Sequence, residues 1–67
     1  MEDFILTELN GRELRISPLT DKGRSVLRSL KSNYSFDTKN VFTRDEFDAE
    51  MKYRKLIGDS INYTIKL

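Results

Sequence analysis

The sequence predicts a small two-layer α+β domain with the element order ββααβ, in which a three-stranded sheet carries two helices on one face. Three observations lead to this prediction: an Asn-Gly turn between two alternating segments, two capped amphipathic stretches, and a final segment of alternating apolar and polar residues. Because a typical domain has about 100–150 residues, the 67 residues are expected to form a single domain over 1–67.

The first two strands are expected to pair as a hairpin around Asn10-Gly11. This dipeptide is a strong hairpin signal, because both central residues of a type I′ turn adopt positive φ. Strands over 4–9 and 12–17 then pair through a two-residue turn. On this register Phe4 and Leu6 lie on the outer face, where they are expected to be partly exposed or covered by something else. The core face consists of Ile5, Thr7, Leu9, Leu14 and Ile16.

Capping residues and apolar spacing predict two helices. Thr20 is a good N-cap for a first helix over about 20–31. Thr43 and Glu46 have the spacing of a capping box, and Gly58 is suited to end a second helix over about 44–57. The stripe of the first helix that faces the core consists of Gly23, Val26, Leu27 and Leu30.

Two further segments complete the predicted fold. Residues 32–42 are a connection that Tyr34 and Phe36 are expected to fix to the core, and a short extended piece within it is left open. Residues 61–67 are the third strand, because Ile61, Tyr63, Ile65 and Leu67 alternate with polar residues. This strand is a candidate free edge of the sheet.

Composition excludes several classes of function. The chain has no cysteine and no histidine, so it lacks the usual general base, the usual nucleophile of a thiol enzyme and the commonest zinc ligands. We therefore expect no enzyme activity, no metal site and no cofactor. The acidic start Met1-Glu2-Asp3 is unlike a signal peptide, and no apolar run approaches a membrane span of about 20 residues. We expect a cytoplasmic protein with no membrane contact.

The second helix carries two apolar stripes where one would be enough to cover a small sheet. Phe47 and Met51 form one stripe, and Glu50 and Arg54 separate it from the other. The presence of two stripes indicates a further contact of this helix, with the first helix, with a second copy of the chain or with a partner. The helix acids, Glu50 among them, are expected to form solvated i,i+4 pairs. That second stripe consists of Ala49, Tyr53, Leu56 and Ile57.

Basic residues are concentrated in one part of the chain. Residues 12–31 hold six basic and two acidic side chains, although the whole chain has a net charge of only +1. The hairpin followed by Leu19-Thr20-Asp21-Lys22-Gly23-Arg24 resembles the stretch from the wing to the final helix of winged-helix transcription regulators, over about residues 5–31. That resemblance implies at most that the hairpin grips a nucleic-acid groove or backbone. The family's recognition helix precedes the wing, and only three residues precede the hairpin here.

The leading hypothesis is a non-enzymatic protein-binding module. It would regulate or inhibit a larger protein by occluding a site or by adding a strand to a sheet edge, and a phage or a mobile element is the expected source. The residues expected to bind the partner are Phe4, Leu6, Arg15, Phe47, Met51 and Arg54. One alternative is a homodimer, and another is an accessory nucleic-acid-binding protein. The nucleic-acid interface would use Arg12, Arg15, Arg24, Arg28 and Lys31.

Overall fold

The computed structural model of the chain describes residues 1–34 and 40–66. Two helices pack on a mixed sheet with the strand order β3-β2-β1-β4, which confirms the α+β class. The prediction of three strands is wrong, because the sheet has four. Strand β1 pairs antiparallel with β2 and parallel with β4, and β3 pairs antiparallel with β2. The elements in chain order are β1 (Phe4–Glu8), β2 (Glu13–Pro18), α1 (Asp21–Asn33), β3 (Val41–Thr43), α2 (Arg44–Leu56) and β4 (Tyr63–Lys66).

The additional strand is β3, which lies in the segment predicted to be a connection. It has three residues, and its last residue, Thr43, is also the N-cap of α2. A strand this short shows no alternation that a sequence pattern could detect. The expected contact of Phe36 with the core lies outside the described residues, and Tyr34 is exposed at the end of α1.

The hairpin has a register one residue away from the predicted one. Leu6 faces Ile16 and Glu8 faces Leu14, and the Leu9 N–H donates to the Glu13 carbonyl across a three-residue loop. The Asn10 side chain accepts from the N–H groups of Arg12 and Glu13, which stabilises this loop in place of the two-residue turn. A shift of one residue exchanges the faces of β1, so the predicted core face is wrong for that strand.

Helix α1 begins as the sequence predicts. The Thr20 side chain accepts from the Gly23 N–H, and the stripe of four predicted core residues is buried. The helix approaches β1 so closely that a Cβ on Gly23 would lie 1.9 Å from the Asp3 carbonyl oxygen. The same Asp3 carbonyl accepts hydrogen bonds from the Leu19 and Thr20 N–H groups, which fixes the start of α1 against the start of β1.

Helix α2 also has the predicted ends. Thr43 and Glu46 form the capping box, and Gly58 follows the last turn with a φ of 79°. Of its apolar residues, Phe47 is buried and Met51 packs against the core. Leu56 and Ile57 are exposed, so α2 covers the sheet with one stripe only.

Both helices pack on the same face of the sheet, where the core lies. The sheet contributes Phe4, Leu6, Leu14 and Ile16 to this core, together with Phe42 from β3. The other face, here called the open face, has no described element packed on it. The register places nine strand residues on it: Ile5, Thr7, Glu13, Arg15, Ser17, Val41, Thr43, Thr64 and Lys66.

Candidate functional site

Three of the six residues predicted to bind a partner are core residues. Phe4 and Leu6 are fully buried, and Phe47 is 3% exposed. The expectation that Phe4 and Leu6 lie on the outer face of the sheet is wrong, because the hairpin register turns both of them toward the helices. Their side chains stabilise the fold and cannot reach a partner while the sheet is intact.

The other three residues lie on two different faces of the sheet. Arg15 is on the open face, whereas Met51 and Arg54 lie on the helix side of the sheet. The Arg54 guanidinium donates to Glu50 Oε2 at 2.6 Å and to Asp59 Oδ2 at 2.7 Å. Met51 lines a groove that is described below. The structure therefore does not bring the six residues together.

The contacts of Arg54 belong to a charge network that ties α1 to α2. Glu50 is only 3% exposed and also accepts from the Ser29 hydroxyl, so the prediction of a solvated Glu50 is wrong. Lys22 of α1 pairs with Asp59 at 3.2 Å. Hydrogen bonds from Lys22 and then Arg54 outweigh desolvation and lower the pKa of Asp59 below its usual value. The network explains why polar residues separate the two apolar stripes of α2.

The residues of the nucleic-acid alternative occupy two sides of the molecule. Arg24, Arg28 and Lys31 are exposed on α1, which covers the helix side of the sheet. Arg24 pairs with Asp21, and that hydrogen bond lowers the pKa of the Asp21 carboxyl. Arg15 points away from α1 on the open face. The remaining member, Arg12, lies in the hairpin loop.

Among the exposed apolar side chains are two groups that the prediction did not select. The first is the remaining stripe of α2, where Ile57 is 59% exposed beside Leu56 and Tyr53. The second is on β4, where Tyr63 is 38% exposed and Ile65 is 46% exposed. The alternation of the final segment was the sequence signal for this second group, although its residues were not named as a site.

The outer side of β4, here called the β4 edge, has backbone groups that point away from the sheet. The Asn62 N–H donates to Asp3 Oδ2 at 3.1 Å, and the Asn62 carbonyl accepts from the Asp3 N–H at 2.7 Å, so both backbone groups of Asn62 point toward β1. Because successive residues of a strand alternate in direction, Thr64 and Lys66 share this inward side. The N–H and C=O groups of Tyr63 and Ile65 therefore point outward, where no described strand pairs with them.

The opposite edge, formed by β3, is less accessible to a strand. Ile16 donates to the Asn40 carbonyl and Arg44 to the Arg12 carbonyl, so the even-numbered residues point toward β2. Val41 and Thr43 point outward, but the Thr43 N–H already donates to Glu46 in the capping box. The chain then enters α2 directly. Among the described residues of this edge, Val41 alone has an outward pair of backbone groups with no described partner.

A groove beside the β4 edge, here called the edge groove, gives it an apolar flank. The groove has a volume of about 310 Å³. The Tyr63 ring lines the groove and packs against two core rings. It is stacked on the Phe4 ring with the centroids 5.0 Å apart, and it contacts the Phe47 ring edge-on with the centroids 5.3 Å apart. The outer strand and the groove thus form one continuous surface. The groove is lined by Met51, Arg54, Lys55, Gly58, Asp59, Ser60, Ile61 and Tyr63.

In the described part of the chain, neither a metal-binding cluster nor a membrane-spanning helix is found. Among residues 1–34 and 40–66, no three acidic side chains gather closely enough to hold a metal ion. Neither helix described by the structure is long and apolar enough to cross a membrane. Comparison of the chain with protein-family models, with curated proteins and with solved structures finds no match.

Proposed function

We propose that this chain is a small, non-enzymatic protein-binding module that takes up an extended segment of another protein as an additional strand beside β4. Strand addition of this kind gains affinity from main-chain hydrogen bonds and specificity from alternate side chains. By occupying such a segment, the module would regulate or inhibit a larger protein. The observation that carries the proposal is the β4 edge, where two outward pairs of backbone groups lie beside half-exposed apolar side chains.

Three features of the edge support strand addition. Tyr63 and Ile65 offer their N–H and C=O groups in the spacing that an incoming strand requires. Their side chains, with Met51 and Ile61 in the edge groove, would lose water-exposed apolar surface when a strand packs beside them. Tyr63 is already fixed by its two ring contacts, so little side-chain entropy is lost on binding.

The test compares two isoleucines of similar exposure. Ile65→Glu places a carboxylate at the β4 edge, and the matched control Ile57→Glu places one at the end of α2. The tagged wild-type chain and both variants are used to recover proteins from lysate of the cells that make this protein, after nuclease treatment. We expect one protein that the wild type and Ile57→Glu retain in near-equal amounts and that Ile65→Glu loses by at least about tenfold, the cost of about 1.4 kcal/mol.

Three results would overturn the proposal. Retention by Ile65→Glu together with loss by Ile57→Glu would assign the interface to the exposed stripe of α2. Equal recovery of every protein by the wild type and both variants, including no recovery at all, would rule out the β4 edge as a binding surface. A second copy of this chain as the only protein lost with Ile65→Glu would establish a homodimer in place of a foreign partner.

The nucleic-acid alternative has one observation in its favour. Arg28 and Lys31 are exposed on α1 and make no ion pair with any residue among 1–34 and 40–66. Binding through α1 would weaken steeply with salt, because each neutralised phosphate releases counterions. Recovery that disappears with nuclease and with Arg28→Glu would favour this function over strand addition.

A further inference from the structure

We infer that the segment bound at the β4 edge alternates apolar and acidic residues, with its acidic side chains on the open face beside Lys66. This inference rests on the proposed function, since it names the chemistry of the segment taken up there. It follows from the direction of the side chains on β4 and from the charges that flank this strand.

The geometry of β4 determines which side chains of an incoming strand meet which surface. Residues opposite Tyr63 and Ile65 would lie on the helix side, against the apolar flank of the edge groove. Residues opposite Thr64 and Lys66 would lie on the open face. Directly opposite side chains are about 4.5–5.5 Å apart at Cβ, so each pair interacts. The partner strand therefore needs apolar residues at alternate positions only.

The open face next to β4 is positively charged. Thr7 of β1 lies between Lys66 on one neighbouring strand and Arg15 on the other. Strands are about 4.8 Å apart, so the two cations stand about 10 Å from each other across the sheet. Both are exposed, and neither makes an ion pair with a described residue. The acid of this face, Glu13, lies two residues before Arg15 on β2, on the strand that does not neighbour β4, and accepts from the Asn10 side chain.

The helix side of the β4 edge adds to this positive field. Lys55 lines the edge groove and makes no ion pair among the described residues. The carboxylate of the groove, Asp59, is engaged by Lys22 and Arg54. Lys66 on the open face and Lys55 on the helix side, neither of which pairs with a described residue, therefore both favour an acidic segment at the β4 edge.

The same charges disfavour a second copy of β4 as the occupant. A lysine on an edge strand opposes pairing with strands that cannot neutralise it. Strand β4 has the sequence Tyr-Thr-Ile-Lys over residues 63–66 and carries no carboxylate. In two copies paired through this edge, residues 63–66 would offer no carboxylate to either Lys66 side chain, whereas an acidic segment would neutralise the charge.

The experiment uses two blocked probe peptides of about six residues, the usual length of a strand. Valine alternates with glutamate in the acidic probe and with lysine in the basic probe. Their affinities for the ¹⁵N-labelled full chain are measured from amide shifts in NMR titrations at low salt. The variant Lys66→Glu is compared with Lys31→Glu, which makes the same charge change on the exposed face of α1.

We expect the wild-type chain to bind the acidic probe about tenfold more tightly than the basic probe. An opposite-charge cross-strand pair is favourable by up to about fivefold, and a like-charge pair is unfavourable by a similar factor. Lys66→Glu should reverse the preference, and Lys31→Glu should leave it unchanged. High salt should reduce the preference, because exposed charges are screened.

The outcomes separate this inference from the function on which it rests. Equal binding of both probes, with shifts at the Tyr63 and Ile65 amides, would overturn the acidic preference and leave strand addition standing. A preference that survives in Lys66→Glu would overturn it as well. Shifts confined to residues outside β4 would overturn the proposed function itself.

Discussion

Gly23 is the position at which the fold tolerates a side chain least. It lies in the first turn of α1, where the helix crosses the start of β1. A Cβ added there would lie 1.9 Å from the backbone oxygen of Asp3 and 2.8 Å from its carbonyl carbon. These are backbone atoms, so no side-chain rotation can relieve the overlap. Gly23→Ala must therefore push α1 away from β1.

The free-energy cost of that movement follows from the hydrogen bonds that the Asp3 carbonyl accepts. Its carbonyl accepts from the Leu19 N–H at 2.8 Å and from the Thr20 N–H at 3.3 Å. Losing both hydrogen bonds costs about 1 kcal/mol each, and the overpacking strain adds about 1–2 kcal/mol. Alanine recovers about 1 kcal/mol through its helix propensity. The net loss is about 2–3 kcal/mol, a large fraction of the roughly 3–5 kcal/mol expected for a domain of this size.

Urea unfolding followed by circular dichroism measures this loss, with Gly11→Ala as the matched control. Gly11 has no heavy atom within 4 Å of an added Cβ and no positive φ. Its substitution should change the free energy of unfolding by no more than about 0.5 kcal/mol. If Gly23→Ala proves as stable as Gly11→Ala, the close approach of α1 to β1 is incorrect.

Three further predictions concern stability. Leu6→Ala should lower the free energy of unfolding by about 2–5 kcal/mol and Ile5→Ala should lower it by much less, because only Leu6 faces the core. If urea unfolding gives the reverse order, the hairpin has the register of the two-residue turn instead. Glu50→Leu should cost about 1–3 kcal/mol by removing a carboxylate from the largely buried Arg54 guanidinium, and adding Arg54→Met should recover much of that loss. A double variant no more stable than Glu50→Leu would contradict this. Hydrogen bonds from the Asn62 N–H and then the Thr20 hydroxyl lower the pKa of Asp3 below 3.8, so its stabilisation is present above that pH and is lost as pH falls through the lower folded value. Asp3→Asn should therefore flatten the acid limb of thermal stability against pH, and an unchanged acid limb would refute the role of this carboxylate.

The helices could be predicted because their signals are local. Thr20 and Thr43 lie within a few residues of the groups they cap, and the stripe from Gly23 to Leu30 needs only helical spacing. The register of the hairpin could not be predicted in the same way. Apolar residues fall on both faces of β1, so alternation fits either register. The Asn10 side chain decides between them through contacts that the dipeptide Asn-Gly does not specify.

The candidate site depended on contacts between distant parts of the chain. The expectation that the last strand lies at an edge of the sheet is confirmed. No local pattern determines its parallel pairing with β1, which places Tyr63 beside Phe4. Burial of Glu50 likewise requires α1 to supply Ser29. The sequence did predict that α2 has one apolar stripe more than the sheet needs. The exposed stripe is the one with Ile57, whereas Phe47 and Met51 had been selected.

The central claim is that the β4 edge accepts a strand through the backbone groups of Tyr63 and Ile65. Amide hydrogen exchange of the wild-type chain tests it most directly, measured alone and with a saturating amount of each probe peptide. The account predicts that the Tyr63 and Ile65 amides exchange rapidly in the free chain and slow strongly with the acidic probe, because they become hydrogen-bonded. The amide of Val41 at the opposite edge should not change. Absence of slowing at Tyr63 and Ile65 with either peptide would contradict the account.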